Sequence, residues 1–394
     1  MYNFDEIIPR QNTSCVKYDL LDHFFGSTDL IPLWVADMDF KTPDFVVNAV
    51  KERAAHEIYG YSIRPPSYDE AIVNWFKRRH HWDIKKEWMA FSPGVVPAMN
   101  MIVMSFTEPG DEIIVQPPVY FPFFSAVENN KRTLVHNQLK YSNGRYYFDF
   151  EDLEAKITVR TKMLMLCNPH NPVGRAWTKD ELSQLASICI KHNILILSDE
   201  IHCDLALPPY KHVALASISD TIANQTITTV APSKTFNLAG MASSAVIISN
   251  PELKKKYDKI LDQVHVGMGN LFGNVATEAA YTQGFEWLDQ MLEYVKDNCR
   301  FVIDYLETFL PQIKPIPLEA TYLLWLDCRN MGFDSDKELK EFMIKKAGLA
   351  MSEGASFGPG GEGFMRMNLA CPRAVIVKAL EQLKQAYASE IMGR

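Results

Sequence analysis

The sequence lacks the features that mark secreted, membrane-spanning and nucleic-acid-binding proteins. Its seven cysteines are an odd number and include no C-x-x-C pair, which argues against a disulfide framework and favours a reducing compartment. No apolar run approaches the roughly 20 residues that cross a bilayer. The net charge is -8 without a long basic run, so nucleic-acid binding has no electrostatic support. Residues 1–6 show no signal peptide, and the sequence predicts a cytoplasmic protein.

Strand-like and helix-like segments alternate through the middle of the chain, without short repeats or low-complexity linkers. Residues 178–181 have the pattern of a capping box, which begins a helix that ends near His192. The predicted strands of this region span residues 112–115, 162–167, 194–197, 227–230 and 244–248. This alternation predicts an α/β fold with a mostly parallel central sheet between helices.

The pattern changes towards the C-terminus, where a second domain is predicted. Helices and strands are expected there at residues 284–309, 322–326, 336–346, 364–369 and from about 373. They predict a smaller α+β domain, and the Pro-rich and aromatic N-terminal segment is expected to pack onto it. A chain of 394 residues suits such a division. We predict a large domain of residues 45–285 and a small domain of residues 1–44 and 286–394.

Three predicted strands end in polar residues that would meet at the carboxyl edge of the sheet, where open α/β sheets bind ligands. These ends are residues 168–174, 198–202 and 233–234. Lys234 follows a buried strand, where a bare ammonium is costly but a lysine joined as an imine to an aldehyde is not. This environment points to pyridoxal 5'-phosphate (PLP). The alternative is a strand-end lysine whose ammonium reaches water, which is the commoner situation for a single lysine.

Residues beside these strand ends match the needs of the PLP ring. Asp199 is expected to keep the pyridine nitrogen protonated, and Asn171 to donate a hydrogen bond to the phenolic oxygen. Tyr120 is expected to stack on the ring. Each has a structural alternative: an Asp that caps a turn, an Asn in a Pro-braced turn and an aromatic core residue.

The cofactor phosphate needs a set of donors. Gly94, Val95 and Val96 open an apolar helix whose free N–H groups and dipole favour an anion, and Ser233 can add a hydroxyl. A glycine turn of this kind is also an ordinary helix start. No metal site is predicted, because residues 199–202 lack the two-histidine spacing of a zinc protease.

Arg366 is the candidate for the substrate carboxylate. It lies in a predicted strand between Met365 and Met367 and should point to the opposite face from both. A guanidinium clamps a carboxylate with two parallel hydrogen bonds, and a buried one is costly without an anionic partner. The alternative is a structural salt bridge.

Taken together, these segments resemble the fold-type-I PLP enzymes of the class I/II aminotransferase superfamily, and above all the MalY/PatB branch of cystathionine β-lyases (C–S lyases). The matching segments are residues 32–40, 58–62, 169–174, 198–202, 233–240 and 366–373. They span nearly the whole chain. Each one is modest alone, but their joint occurrence in this order is specific.

The resemblance implies a homodimer with its active sites at the subunit interface, where Tyr61 reaches the phosphate in the neighbouring subunit. The residues that it implies for cofactor and substrate are Lys234, Asp199, Asn171, Tyr120, Gly94, Val95, Val96, Ser233, His202, Arg366 and Ala36. Many aminotransferases have a phosphate-binding Ser and Arg at the positions of Ala231 and Ala242, and a Tyr at that of His202. The loss of the phosphate-binding Ser and Arg favours the lyase branch, and His202 argues against the phenol contact that the wider group makes to the ring oxygen.

The resemblance implies α,β-elimination, in which Lys234 removes the Cα proton and a thiol leaves from Cβ of cystathionine or another cysteine S-conjugate. Pyruvate and ammonia are the other products. An aminotransferase is the close alternative, because it shares every step up to the carbanion. A regulatory binding protein on the same fold is the alternative from another class. No docking motif supports it.

Overall fold

The chain contains two main β-sheets, one of seven strands and one of four, and two further pairs of short strands. The structure is a computed structural model that describes residues 1–393. The α-helices are Val16–Asp19, Leu21–Phe25, Asp44–Ala55, Pro66–His80, Val95–Phe106, Pro122–Glu128, Phe150–Lys156, Lys179–Lys191, Asp220–Ala223, Pro232–Thr235, Pro251–Val264, Leu271–Gln283, Phe285–Phe309, Asp336–Lys345 and Arg373–Gly393. No helix within residues 1–393 combines the length and apolarity that a membrane crossing needs.

The large sheet confirms the predicted α/β class. Its strands are, in spatial order, Met89–Ser92, Ser244–Ile247, Thr226–Val230, Leu195–Asp199, Thr161–Cys167, Glu112–Val115 and Thr133–His136. Consecutive members of this order from Thr226–Val230 onwards are parallel, whereas Ser244–Ile247 is antiparallel to both its neighbours. The first and last strands in this order were not predicted, and the other five were.

The central strands are buried on both faces, which explains their near-continuous apolar sequences. One of the covering helices, Lys179–Lys191, begins at the predicted capping box. The Thr178 hydroxyl accepts a hydrogen bond from the Glu181 N–H at 3.2 Å, and the Glu181 carboxylate accepts one from the Thr178 N–H at 2.9 Å. This helix buries Leu182 and Leu185. The cap thus fixes where the helix begins.

The small sheet has the antiparallel order Lys314–Pro315, Leu323–Asp327, Phe364–Asn368 and Ser352–Glu353. The long helix Phe285–Phe309 leads into it along the chain. In the N-terminal segment, Ile31–Pro32 pairs in parallel with Leu349–Ala350, and Lys140–Ser142 forms a separate hairpin with Arg145–Tyr147. These pairings agree with an N-terminal segment on the small domain, and the exact domain boundaries stay a prediction.

Candidate active site

A cavity of about 240 Å³ lies at the carboxyl ends of three parallel strands of the large sheet. Loops that follow neighbouring parallel strands meet at one edge, so the polar strand ends converge there. The cavity is lined by Ala36, Pro93, Gly94, Val95, Val96, Pro97, Tyr120, Cys167, Asn171, Asp199, Ile201, His202, Ser233, Lys234, Ala239, Ala242 and Ser243. This set contains every predicted site residue except Arg366 and Tyr61.

Lys234 lies on the short helix Pro232–Thr235, directly after the strand Thr226–Val230. Its ammonium donates a hydrogen bond to the Ala36 carbonyl at 2.7 Å. Burial and, to a smaller extent, the positive charge of Arg366 lower the pKa of Lys234 to about 8, against the opposite effect of Asp37 and Asp199. A lysine with a lowered pKa is a better nucleophile and base near neutral pH.

Asp199 is the last residue of its strand, and its side chain is buried. It accepts hydrogen bonds from the Ile201 N–H at 3.1 Å and, at 3.5 Å, from the Thr229 hydroxyl. Burial raises the pKa of Asp199 to about 7, and the neighbouring charge of Glu200 adds to this effect. Among residues 1–393, no cationic side chain has a nitrogen within 4.0 Å of this carboxylate, which is the distance limit for an ion pair. Asp199 is therefore suited to a positively charged ring nitrogen.

Arg366 lies just behind the cavity, in the strand Phe364–Asn368 of the small sheet. Its guanidinium donates to the Asn171 side-chain oxygen at 3.0 Å, the Trp34 carbonyl at 2.7 Å and the Ser352 hydroxyl at 3.1 Å. Within the described chain, its Nε is buried without a partner and no carboxylate pairs with it. Burial lowers the pKa of Arg366 to about 10.

These contacts speak against the structural salt bridge as the interpretation of Arg366. Such a bridge would supply a carboxylate partner, and among residues 1–393 Arg366 has only neutral oxygen acceptors. A buried guanidinium in that condition gains from an incoming anion. Sequence reasoning missed the groups that hold it, since the Trp34 carbonyl is a backbone group and leaves no signal in the sequence.

Asn171, Tyr120 and His202 surround the middle of the cavity. The Asn171 carbonyl accepts a hydrogen bond from the Tyr120 N–H at 3.2 Å, which holds these two residues together. The ring of His202 is buried, and its Nδ1 has no hydrogen-bond partner among residues 1–393. Burial and the nearby charges of Lys234 and Arg366 keep the pKa of His202 well below its usual value, so the imidazole is neutral.

One end of the cavity is the start of the helix Val95–Phe106. Gly94 precedes this helix, and no side chain among the described residues caps its first N–H groups. Val95 and Val96 line the cavity, so the uncapped start of the helix is a candidate site for an anion. The Ser233 hydroxyl lies on the same lining.

Tyr61 is not brought to this cavity. Its side chain is 99% exposed, and it lies in a segment with the exposed apolar residues Ile58, Tyr59 and Ile63. The Tyr61 ring therefore does not line the candidate active site of its own chain.

Tyr322 was missed by sequence reasoning, although it is buried against the site. Its hydroxyl donates to the same Ala36 carbonyl that binds Lys234, at 3.0 Å. The only signal was its place at the start of a predicted strand, which is shared by many core tyrosines. Its contact with the site depends on the tertiary fold, which brings the backbone of residue 36 to the Tyr322 hydroxyl.

The donor set suits one kind of ligand. A lysine with a lowered pKa can join an aldehyde, a buried carboxylate without a cation can hold a protonated ring nitrogen, and uncapped helix N–H groups can bind a phosphate. PLP combines these three groups. The residues on the cavity lining therefore fit this cofactor.

Comparison with known proteins agrees with this site. The family model described as aminotransferase class I and II matches residues 28–383. The chain is 44% identical over 385 residues to the cystathionine beta-lyase PatB of Bacillus subtilis (strain 168), which covers 98% of this chain and 99% of that protein. It is 30% identical to protein MalY of Escherichia coli (strain K12), over 98% of this chain and 99% of that protein.

A solved structure is similar over the same length. The PLP-containing structure of cystalysin from Treponema denticola matches with a TM-score of 0.94 and 40% identity, and the match covers 99% of each chain. Sequence and structure thus agree over the whole fold and over the segments that line the cavity. The chain therefore belongs to the class I and II aminotransferase family and, within it, to the group that contains PatB and MalY.

Proposed function

We propose that the chain is a PLP-dependent carbon–sulfur β-lyase, which cleaves cystathionine or another cysteine S-conjugate to a thiol, pyruvate and ammonia. The proposal rests on two side chains that occur together at the site. Lys234 has a lowered pKa, and Arg366 is a buried cation without an anionic partner among the described residues. This pair suits an amino acid whose carboxylate is bound and whose Cα proton is removed. The relatives named as cystathionine beta-lyases favour elimination over transamination.

Bound PLP supplies an aldehyde and an electron-accepting ring that stabilises negative charge at the substrate Cα. Asp199, a buried carboxylate at the strand end, would hold the proton at the ring nitrogen. Asn171 and His202 would be the neighbours of the ring oxygen, and Tyr120 would cover the face of the ring.

Lys234 carries the proton transfer. A pKa of about 8 leaves a useful neutral fraction near neutral pH, and the neutral amine is the form that accepts a proton from Cα. To act, the amine exchanges its hydrogen bond to the Ala36 carbonyl for the substrate. The carbonyl keeps the Tyr322 hydroxyl as a donor, so it is not left unpaired in the buried site.

Arg366 orients the substrate by its carboxylate. Its three neutral acceptors place the guanidinium in advance, so little side-chain freedom is lost on binding. Ala36 and Tyr120 line the space beside it. A fixed carboxylate and a fixed Lys234 together place the Cα–H bond, rather than another bond of Cα, beside the amine that removes the proton.

The phosphate would be held differently from the pattern of many aminotransferases. Ala231 and Ala242 stand where a serine and an arginine are common in that group, and Ala242 lines the cavity. The candidate donors in this chain are Ser233 and the N–H groups at the start of the helix Val95–Phe106. Tyr61 is the candidate to complete them from another subunit.

A homodimer is part of the proposal. Ile58, Tyr59, Tyr61 and Ile63 are exposed by 71%, 58%, 99% and 82%, and such a cluster of large apolar side chains is typical of an interface.

Mixing two inactive variants tests whether Tyr61 completes the site of the other subunit. Tyr61→Ala and Lys234→Ala subunits should regain activity when they are mixed, since a heterodimer then holds one complete site. No regain from two folded variants would place Tyr61 outside the partner's site.

The compartment is also a proposal. All seven cysteines are free in the structure, and all except Cys15 are buried. Free buried thiols suit a reducing environment, which supports a cytoplasmic enzyme. Localisation of a tagged full-length chain in its native cell is the measurement.

The function is tested with L-cystathionine and purified holoprotein in the absence of any 2-oxo acid. We expect pyruvate, ammonia and thiol in equal amounts. In the absence of amino acid we also expect a visible absorbance band of the imine between the cofactor and Lys234, which Lys234→Ala abolishes. Turnover only after addition of a 2-oxo acid would make the chain an aminotransferase. The same imine band in Lys234→Ala without amino acid would remove Lys234 from the centre of the site.

A further inference from the structure

Two buried pairs of carboxylate and histidine lie behind the cavity, outside its lining. The Asp204 carboxylate is 2.7 Å from the His80 Nε2, and the Glu200 carboxylate is 2.8 Å from the His212 Nε2. The two imidazole rings are in edge contact, with centroids 5.3 Å apart and planes at 89°. The four side chains are 0–5% exposed, so they form one continuous buried polar group.

One end of this group reaches the helix that carries Lys234. The Thr235 hydroxyl donates a hydrogen bond to the Asp204 carboxylate at 2.8 Å, and Thr235 is the residue after Lys234. Trp75 donates to the other carboxylate oxygen from its indole N–H at 2.9 Å. Asp204 therefore holds the lysine helix on one side while it is itself fixed by His80 and Trp75.

The other end reaches the strand that carries Asp199. Glu200, the next residue, accepts hydrogen bonds from the Ser198 hydroxyl at 2.8 Å and from the Leu215 N–H at 3.0 Å. These contacts fix the end of the strand on both sides of Asp199. The buried group thus connects the residues that follow the two charged groups of the cavity.

The lysine helix needs an anchor because it is only four residues long. Isolated helices of that length are not stable, so tertiary contacts determine its position. Apart from packing, Lys234 itself is held by the Ala36 carbonyl, and that contact is given up when the amine reacts. The hydrogen bond from Thr235 to Asp204 does not change during such a reaction.

We propose that Asp204 is a positioning residue that, through Thr235, holds Lys234 at the distance from Asp199 that the reaction requires. This inference rests on the proposed role of Lys234 and adds the buried residues that place it. Asp204 acts through geometry, because it lies outside the cavity lining and contacts the lysine helix through the hydroxyl of Thr235. A misplacement of about 1 Å at a reacting group costs on the order of a hundredfold in rate.

A metal site is the other use that this cluster would allow. His80, Cys203 and Asp204 offer ligand atoms within 4.8 Å of one another. The Asp204 carboxylate, however, already accepts from Trp75 and Thr235 and pairs with His80. These hydrogen bonds account for the cluster, and metal analysis of the purified protein checks that none is bound.

The variant Thr235→Val removes the hydroxyl and keeps the shape of the side chain. Thr226→Val is the matched control, since Thr226 is equally buried and donates at 2.7 Å to a backbone carbonyl, that of Ile222, away from the cavity. Thr235→Ser restores the hydroxyl, and Thr235→Ala replaces the valine variant if that variant does not fold. Thermal unfolding of every variant separates stability from function.

The measurement is the second-order rate constant with which the full-length apoprotein captures added PLP, followed by its absorbance, together with kcat and KM of the reconstituted enzyme. We expect Thr235→Val to lower the capture rate and kcat by at least about tenfold with little change in KM. Thr235→Ser and Thr226→Val should stay close to the wild type.

Wild-type capture rates and kcat in Thr235→Val, or an equal loss in Thr226→Val, would overturn the positioning role. Failure of the proposed function is seen separately, as wild-type turnover that requires a 2-oxo acid, and the capture rates of the Thr235 variants can still be compared in that case. Thus a change confined to Thr235→Val supports the anchor, and an imine band that persists in Lys234→Ala without amino acid overturns the basis on which it rests.

Discussion

Arg366 and Arg175 are both buried arginines, but only one of them is paired. Arg175 is 1% exposed and binds the carboxylates of Glu319 at 3.0 Å and Glu181 at 2.8 Å, and it also donates to the Tyr146 carbonyl. Arg366 is 5% exposed, and within the described part of the chain it has only neutral acceptors. A buried cation with its anions in place is structural, whereas one without an anion is ready for a ligand.

The surroundings of the two arginines explain this difference. Arg175 follows the turn after Cys167, and its partner Glu319 also binds Arg145 at 2.6 Å, so charge is balanced within the protein. Arg366 faces the cavity edge through Asn171. Burial lowers the pKa of Arg366 to about 10, which is the direction expected for a buried cation.

The largest expected effect comes from removing the unpaired arginine. Arg366→Met should lower kcat/KM for L-cystathionine by about a thousandfold, because the substrate carboxylate then enters a buried site without a cation. The melting temperature should stay the same or rise, since an uncompensated buried charge is removed. Steady-state kinetics and thermal unfolding on the same preparations check both. A loss of stability with normal kcat/KM would reverse the assignment.

The matched change at the paired arginine should have the opposite profile. Arg175→Met leaves Glu319 and Glu181 without their shared partner, and we expect a loss of about 3 kcal/mol in the free energy of unfolding. Folded molecules should keep kcat/KM within about threefold, because Arg175 does not line the cavity. Urea unfolding measures the first quantity. An Arg175→Met protein with a normal free energy of unfolding but a low kcat/KM would contradict the comparison.

The pH dependence of stability extends the comparison to the other cavity charges. The folded apoprotein holds a proton on Asp199 up to a pKa of about 7, whereas the unfolded chain releases it near 3.8, so this group lowers stability as the pH rises between these values. Lys234, whose pKa falls from 10.5 to about 8, makes stability rise with pH between those two values.

We therefore expect the apoprotein of Asp199→Asn to lose less stability than the wild type between about pH 4 and pH 7. Urea unfolding at a series of pH values gives the measurement, with Lys234→Met as the complementary variant above pH 8. Parallel curves for wild type and Asp199→Asn would show that this carboxyl titrates normally.

The sequence predicted the cavity well because its chemistry lies at strand ends. Asp199 and Lys234 follow strands whose apolar composition is strong, so parallel pairing places both at one edge. The same reasoning failed for Met89–Ser92 and Thr133–His136, which lie at the two edges of the sheet and have a weaker apolar signal. Edge strands are buried less, and their sequences are less constrained.

The position of Arg366 was predicted, but its partners were not. Whether an arginine is paired depends on which carboxylates the tertiary fold brings near, and one sequence does not show that. The acceptors that hold it include a backbone carbonyl of Trp34, distant in sequence and invisible in composition. Likewise, the buried group of His80, Asp204, Glu200 and His212 joins a helix end to a strand end and has no sequence pattern of its own.

The most direct measurement is pyruvate release from L-cystathionine by wild-type and Arg366→Met holoproteins, side by side and without a 2-oxo acid. We predict pyruvate and ammonia in equal amounts from the wild type. For Arg366→Met we predict a kcat/KM about a thousandfold lower in a protein that is at least as stable. Absence of pyruvate from the wild type, or undiminished release by Arg366→Met, would contradict it.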